Sequence, residues 1–90
     1  MEIRHLLISG QVQGVGYRHS MVRAARNLGV SGWVKNRSDG GVEAMVAGSA
    51  EAVAAIIHWA RQGPPDADVA QVAVELGVGS YTGFEQRPTD

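Results

Sequence analysis

Strand-like and helix-like runs alternate along this chain in the order strand, helix, strand, strand, helix, strand, and few folds accommodate that order. Ile3 to Ser9 is short, apolar and bounded by Gly10, which predicts a buried strand. From Tyr17 to Leu28, the positions Tyr17, Met21, Ala24, Ala25 and Leu28 recur at helical spacing, with Arg23, Arg26 and Asn27 between them and Gly29 as a stop. Val30 to Asn36 is β-branched and aromatic enough for a second strand. Arg37 to Gly41 follows with the pair Asp39-Gly40, which supplies the positive φ angles of a tight hairpin into a third strand, Val42 to Ala47. Ser49 is a helix cap with Glu51 in the first turn behind it, and Val53, Ile56, Ile57 and Ala60 form the buried stripe of a second helix that Gly63, Pro64 and Pro65 end. Val69 to Leu76 alternates, with Val72, Val74 and Leu76 on one half-buried face, and Phe84 to Arg87 is expected to add a short edge strand.

The order implies an α+β, ferredoxin-like split β-α-β-β-α-β sandwich, an antiparallel sheet with two helices on one face. Its 90 residues suffice for one compact core, so residues 1–90 are expected to form a single domain. A right-handed crossover makes the first two strands parallel, and the hairpin returns the third between them. The loop after Ser9 and Asn36 then share one edge of the sheet, on the order of 10 Å apart at two strand spacings.

That edge carries the densest chemistry in the chain, "SGQVQGVGYRH" at residues 9 to 19. Gly10, Gly14 and Gly16 are free of side chains where successive backbone N–H groups turn inward as an anion-binding nest. The helix that starts near Tyr17 adds unpaired N–H groups and the positive end of its dipole. A cation in that first turn is slightly unfavourable unless an anion lies between it and the helix, which makes Arg18 a candidate ligand. From spacing alone a plainer reading stands beside this one: the glycines make a tight strand-to-helix turn, and Arg18 is a solvated surface residue. The loop is neither common nucleotide motif, since no Gly-Lys-Ser/Thr follows and His19 stands where a dinucleotide loop has its third glycine.

Composition narrows the partners. Eight basic against nine acidic residues give a formal net charge of -1, which leaves no broad positive field for a nucleic acid or an anionic membrane. Cysteine is absent, so disulfides and thiolate chemistry are excluded, and His5 and His58 lie on separate elements without metal-ligand spacing. His19, directly after Arg18, is read as a solvated residue of the first helical turn, beside the alternative of a substrate contact. No run reaches the roughly 18 apolar residues of a membrane span, and the chain reads as a soluble, unprocessed, cytoplasmic protein.

Three segments, "GQVQGVGYR" (Gly10 to Arg18), "GWVKNRSDGGVE" (Gly32 to Glu43) and "GPPDADVAQVAVE" (Gly63 to Glu75), resemble the acylphosphatase family in order and over essentially the whole chain. That family hydrolyses the mixed anhydride of a carboxylic acid and phosphoric acid without metal or cofactor. The resemblance implies that Arg18 is the catalytic phosphate ligand and that backbone amides of Gln13, Gly14, Val15, Gly16, Tyr17 and Arg18 form the cradle. It implies too that Asn36 orients the attacking water. The expected partners are a small acyl phosphate and inorganic phosphate in the loop, and the expected state is a monomer. Tyr17 stands where the family more often has Phe, and Gln86 where its last strand usually has an apolar residue.

Independent chemistry agrees: phosphoryl transfer asks mainly for positioning and for charge neutralisation on the equatorial oxygens, which a nest and one guanidinium supply. An amide orients water but does not deprotonate it, and a carboxylate leaving group needs little protonation, so an acyl phosphate suits such a site better than an alkyl ester. Ferredoxin-like domains also carry RNA recognition and metal delivery, but the two central strands lack alternate aromatics and the chain lacks thiols. The same resemblance extends to the acylphosphatase-like domain that opens larger hydrogenase-maturing proteins, against which the initial Met and polar tail speak. A phosphate binder whose catalysis has decayed would share the loop as well, but the presence of both Arg18 and Asn36 argues for a working site.

Overall fold

The computed structural model describes residues 1–89. Its elements are β1 (Glu2–Gln11), α1 (Tyr17–Leu28), β2 (Ser31–Asn36), β3 (Val42–Gly48), α2 (Ala50–Gln62), β4 (Asp68–Leu76) and β5 (Phe84–Arg87). The sheet order is β4-β1-β3-β2-β5. β1 pairs antiparallel with β3 and β4, and β2 pairs antiparallel with β3, as the split arrangement requires. β5 joins β2 in parallel, which makes the five-stranded sheet mixed. Both helices pack against one face and close a core around Leu6, Ile8, Met21, Val34, Val46 and Ile56, each at most 2% exposed.

Local chemistry sets the helix limits. Ser49 accepts a hydrogen bond from the Ala52 N–H at 3.1 Å, satisfying one of the four unpaired donors at the start of α2. Gly29 ends α1 in the left-handed conformation, with φ 75°, and returns its N–H to the carbonyls of the last turn. The Tyr17 hydroxyl donates to the Ala60 carbonyl at 2.8 Å, so it satisfies one of the last carbonyls of α2 from inside the core. Its ring lies 5.3 Å from that of Trp59, and the two aromatics join α1 to α2.

Burial raises the Tyr17 phenol well above its ordinary pKa of about 10. Because the folded-state value is the higher one, stability is fully present below pH 10. It then falls by about 1.4 kcal/mol per pH unit as the unfolded chain ionises first, until the folded pKa is reached. Tyr17→Phe is expected to remove that alkaline slope while costing about 1–2 kcal/mol at neutral pH through the orphaned carbonyl. Urea titrations of both proteins at pH 7 and pH 11 check the two effects, and equal slopes would contradict the assignment.

The sheet corrects two expectations. β1 continues past Ser9 to Gln11, and its pairing with β4 shifts register between Ser9 and Gly10, a bulge. Gly10, with φ 118°, therefore belongs to the strand and not to an anion nest: a Cβ there would overlap the Asp68 carbonyl oxygen. The alternation expected along β4 does not carry through: Val69 and Val72, three residues apart across the register shift, pack on the core, while Val74 is 39% and Leu76 80% exposed. β4 is one of the two edge strands, and its far end lacks a cover.

Candidate active site

Residues 12 to 16 link β1 to α1 and are held from both sides. The Val12 side chain is buried in the core beneath the loop, and Val15 packs against the same core. The Gln13 amide donates to the carbonyls of Arg37 at 2.8 Å and Gly41 at 2.7 Å, which fastens the loop to the β2–β3 hairpin. Gly14 and Gly16 take φ 74° and 77°, and Gly16 is the N-cap of α1. A left-handed glycine has no side chain to cap the helix, and no acidic residue stands in the first turn. The amides of Tyr17, Arg18 and His19 therefore open outward at the positive end of the dipole.

Pairing brings the second element to this edge. Ile8 is paired with Val42 and Val42 with Asn36, so the three residues form one row across β1, β3 and β2. Asn36 is the last residue of β2 and lies at the same end of the sheet as the loop. Between them opens a cleft of about 150 Å³. Val12, Gly14 and Gly16 of the loop form one wall, the start of α1 at Tyr17, Arg18 and His19 a second, and Asn36 and Gln86 a third. No carboxylate lines it, and its fixed charge is the Arg18 guanidinium. One Arg18 Nη donates to the Arg87 carbonyl at 3.1 Å, so β5 holds the guanidinium while its remaining N–H groups stay open to a ligand. Arg26, two turns along the same helix, donates likewise to the Phe84 carbonyl at 3.1 Å.

The structure thus brings Arg18, Asn36, Gly14, Gly16 and Tyr17 to one cleft; Gln13 and Val15 stand behind its wall, one as a clamp and the other as a packing residue. The Tyr17 side chain points away into the core, so only its backbone is offered to a ligand. His19 is exposed on the rim. Lys35 and Arg37 turn to the opposite face of the sheet, toward Glu43 at 3.8 Å and 3.5 Å. His5 meets the same carboxylate at 2.6 Å, and His58 lies 3.4 Å from Gln62 on the outer surface of α2. Gln86 is the cleft residue that sequence reasoning misses. The signal for it is the period-two pattern of β5, because Phe84 is buried and Gln86 shares its face.

The model of the acylphosphatase family matches residues 4–85. The chain belongs to the acylphosphatase family. A curated acylphosphatase of Thiobacillus denitrificans is 55% identical over 87 residues, covering 97% of this chain and 98% of that relative. The solved structure of an acylphosphatase from Coxiella burnetii superposes with a TM-score of 0.91 at 38% identity, covering 96% of this chain and 92% of that one. Full-length HypF, in its phosphate- and nucleotide-bound form, superposes with a TM-score of 0.88 at 28% identity over 99% of this chain, which corresponds to 12% of HypF. The activity of this acylphosphatase is hydrolysis of an acid anhydride, with small acyl phosphates as substrates. Among the described residues, no helix is long and apolar enough to cross a membrane.

Proposed function

We propose that Arg18 and the backbone amides from Gln13 to Arg18 bind the phosphoryl group of the acyl phosphate, and that Asn36 orients the water that attacks it. The observation that carries this reading is the shared cleft: Arg18 and Asn36 face each other across a carboxylate-free space floored by left-handed glycines and an uncapped helix start. The guanidinium fork and the amides neutralise charge on the equatorial oxygens as the bond to the leaving carboxylate lengthens. The Asn36 carboxamide accepts a hydrogen bond from the water and aims its lone pair at phosphorus. The P–O bond to water forms, the P–O bond to the acyl group breaks, and the phosphoryl group takes the water's proton. The carboxylate leaves as an anion.

In this reading the reaction needs no metal or cofactor, inorganic phosphate occupies the loop after turnover, and residues 1–90 work as one monomeric domain in the cytoplasm, without nucleic acid or membrane. The test is hydrolysis of benzoyl phosphate with a chelator present and p-nitrophenyl phosphate as the control ester. Chelator-resistant cleavage of the acyl phosphate, with the ester cleaved at least about 100-fold more slowly because its leaving group gains nothing from this site, is the expected result. Loss of activity in chelator, restored by added Mg²⁺, would overturn the metal-free mechanism.

A further inference from the structure

We infer that Gln86 is a further substrate-contacting residue of this site, donating its carboxamide N–H to the phosphoryl group beside Arg18. The inference rests on the reading of Arg18 and Asn36 given above and adds a ligand to it. β5 runs parallel to β2 and places Gln86 opposite Val34. Val34 is 0% exposed and faces the helices, so Asn36, two residues on, presents its side chain to that same face. Gln86 and Asn36 are therefore diagonal neighbours on adjacent strands, and the two amides share one wall of the cleft.

The strand that carries Gln86 also holds the arginine of the site. Arg87, next to Gln86, sends its side chain to the other face of the sheet, over the Trp33 ring at 4.8 Å, while its carbonyl receives the Arg18 guanidinium at 3.1 Å. The backbone beside Gln86 is thus already within reach of the phosphate ligand. Neither Gln86 nor Asn36 makes a side-chain hydrogen bond to another described residue, whereas Gln13 spends its amide on the hairpin carbonyls. A phosphoryl group has three non-bridging oxygens, and an arginine fork engages two. Beside the loop amides, a neutral carboxamide adds a further donor without bringing a like charge to the anion, which a carboxylate at this position would do.

The test compares wild type, Gln86→Met and Gln86→Glu in benzoyl phosphate hydrolysis with inorganic phosphate as a competitive inhibitor, alongside Arg18→Ala. Gln86→Met keeps the length of the side chain and removes the donor, so the inhibition constant of phosphate is expected to rise about tenfold, as for loss of one hydrogen bond to a charged group. Gln86→Glu is expected to raise it further, and the excess over wild type should shrink as the pH falls through the new carboxylate's range, about 4 to 5. A residue that only packs would show no such pH dependence, and thermal midpoints serve to confirm that both variants fold. Inhibition by phosphate within twofold of wild type in Gln86→Met, while Arg18→Ala abolishes it, would overturn the role of Gln86 and leave that of Arg18 standing. Unchanged inhibition in Arg18→Ala would remove the phosphate site itself, and the Gln86 contact with it.

Discussion

Arg18→Ala is expected to lower kcat/KM for benzoyl phosphate by about 1,000-fold or more, since it removes several charge-assisted donors aimed at the phosphoryl group, each worth roughly 100-fold or more in comparable sites. The cleft contains no second arginine or lysine to take over. Its remaining donors, the amides of the loop and of the first turn of α1, carry only partial charge. Both kcat and KM are expected to suffer, because the guanidinium meets the phosphoryl group in the ground state as well as in the transition state. Arg18→Lys restores the charge without the planar fork and should fall between the alanine variant and wild type. The side chain is partly exposed and makes one contact with β5, so the cost in stability should stay within about 1 kcal/mol. Steady-state kinetics together with a thermal melt separate the two effects. Activity within tenfold of wild type in a folded Arg18→Ala would show that the phosphoryl group is bound elsewhere.

Asn36→Ala is expected to reduce kcat by about 100-fold while leaving KM within about threefold, the pattern of a group that acts on the attacking water and not on substrate binding. The residue ends β2 at the sheet edge, and its side chain holds no other element in place, so β2 should keep its pairing with Val42. Asn36→Asp provides a second measurement. A carboxylate there accepts the same hydrogen bond from water but repels the substrate anion, so KM is expected to rise where the alanine variant leaves it unchanged. An alanine variant whose loss appears entirely in KM would make Asn36 a substrate ligand, and the attacking water would then have to be held by another wall of the cleft.

The glycine-rich loop illustrates how far sequence reasoning reaches. Gly14 and Gly16 behave as their spacing suggests, because a positive φ is a property of the residue itself and its immediate neighbours. Gly10, just ahead of the loop, looks the same in sequence and does something different. Its conformation answers to the Asp68 carbonyl on β4, a residue remote in the chain. The charged residues beside Asn36 divide in the same manner: Lys35 and Arg37 are its immediate neighbours, yet strand alternation turns them to Glu43 on the far face of the sheet.

By itself the sequence determined the order of the elements, the caps and stops of the two helices, and the row that carries the loop and Asn36 to one edge. Each of those follows from period, turn chemistry and the handedness of the crossover, which are local or generic. The tertiary structure alone decided the rest. It placed β5 parallel to β2, set Arg18 against the Arg87 carbonyl, brought Gln86 into the cleft and left Val74 and Leu76 uncovered on the edge strand β4. Those outcomes depend on which distant segments pair and which helix covers which strand. A four-residue strand carries too few side chains to specify its partner, so its place is set by the edge of the sheet that the other elements leave open.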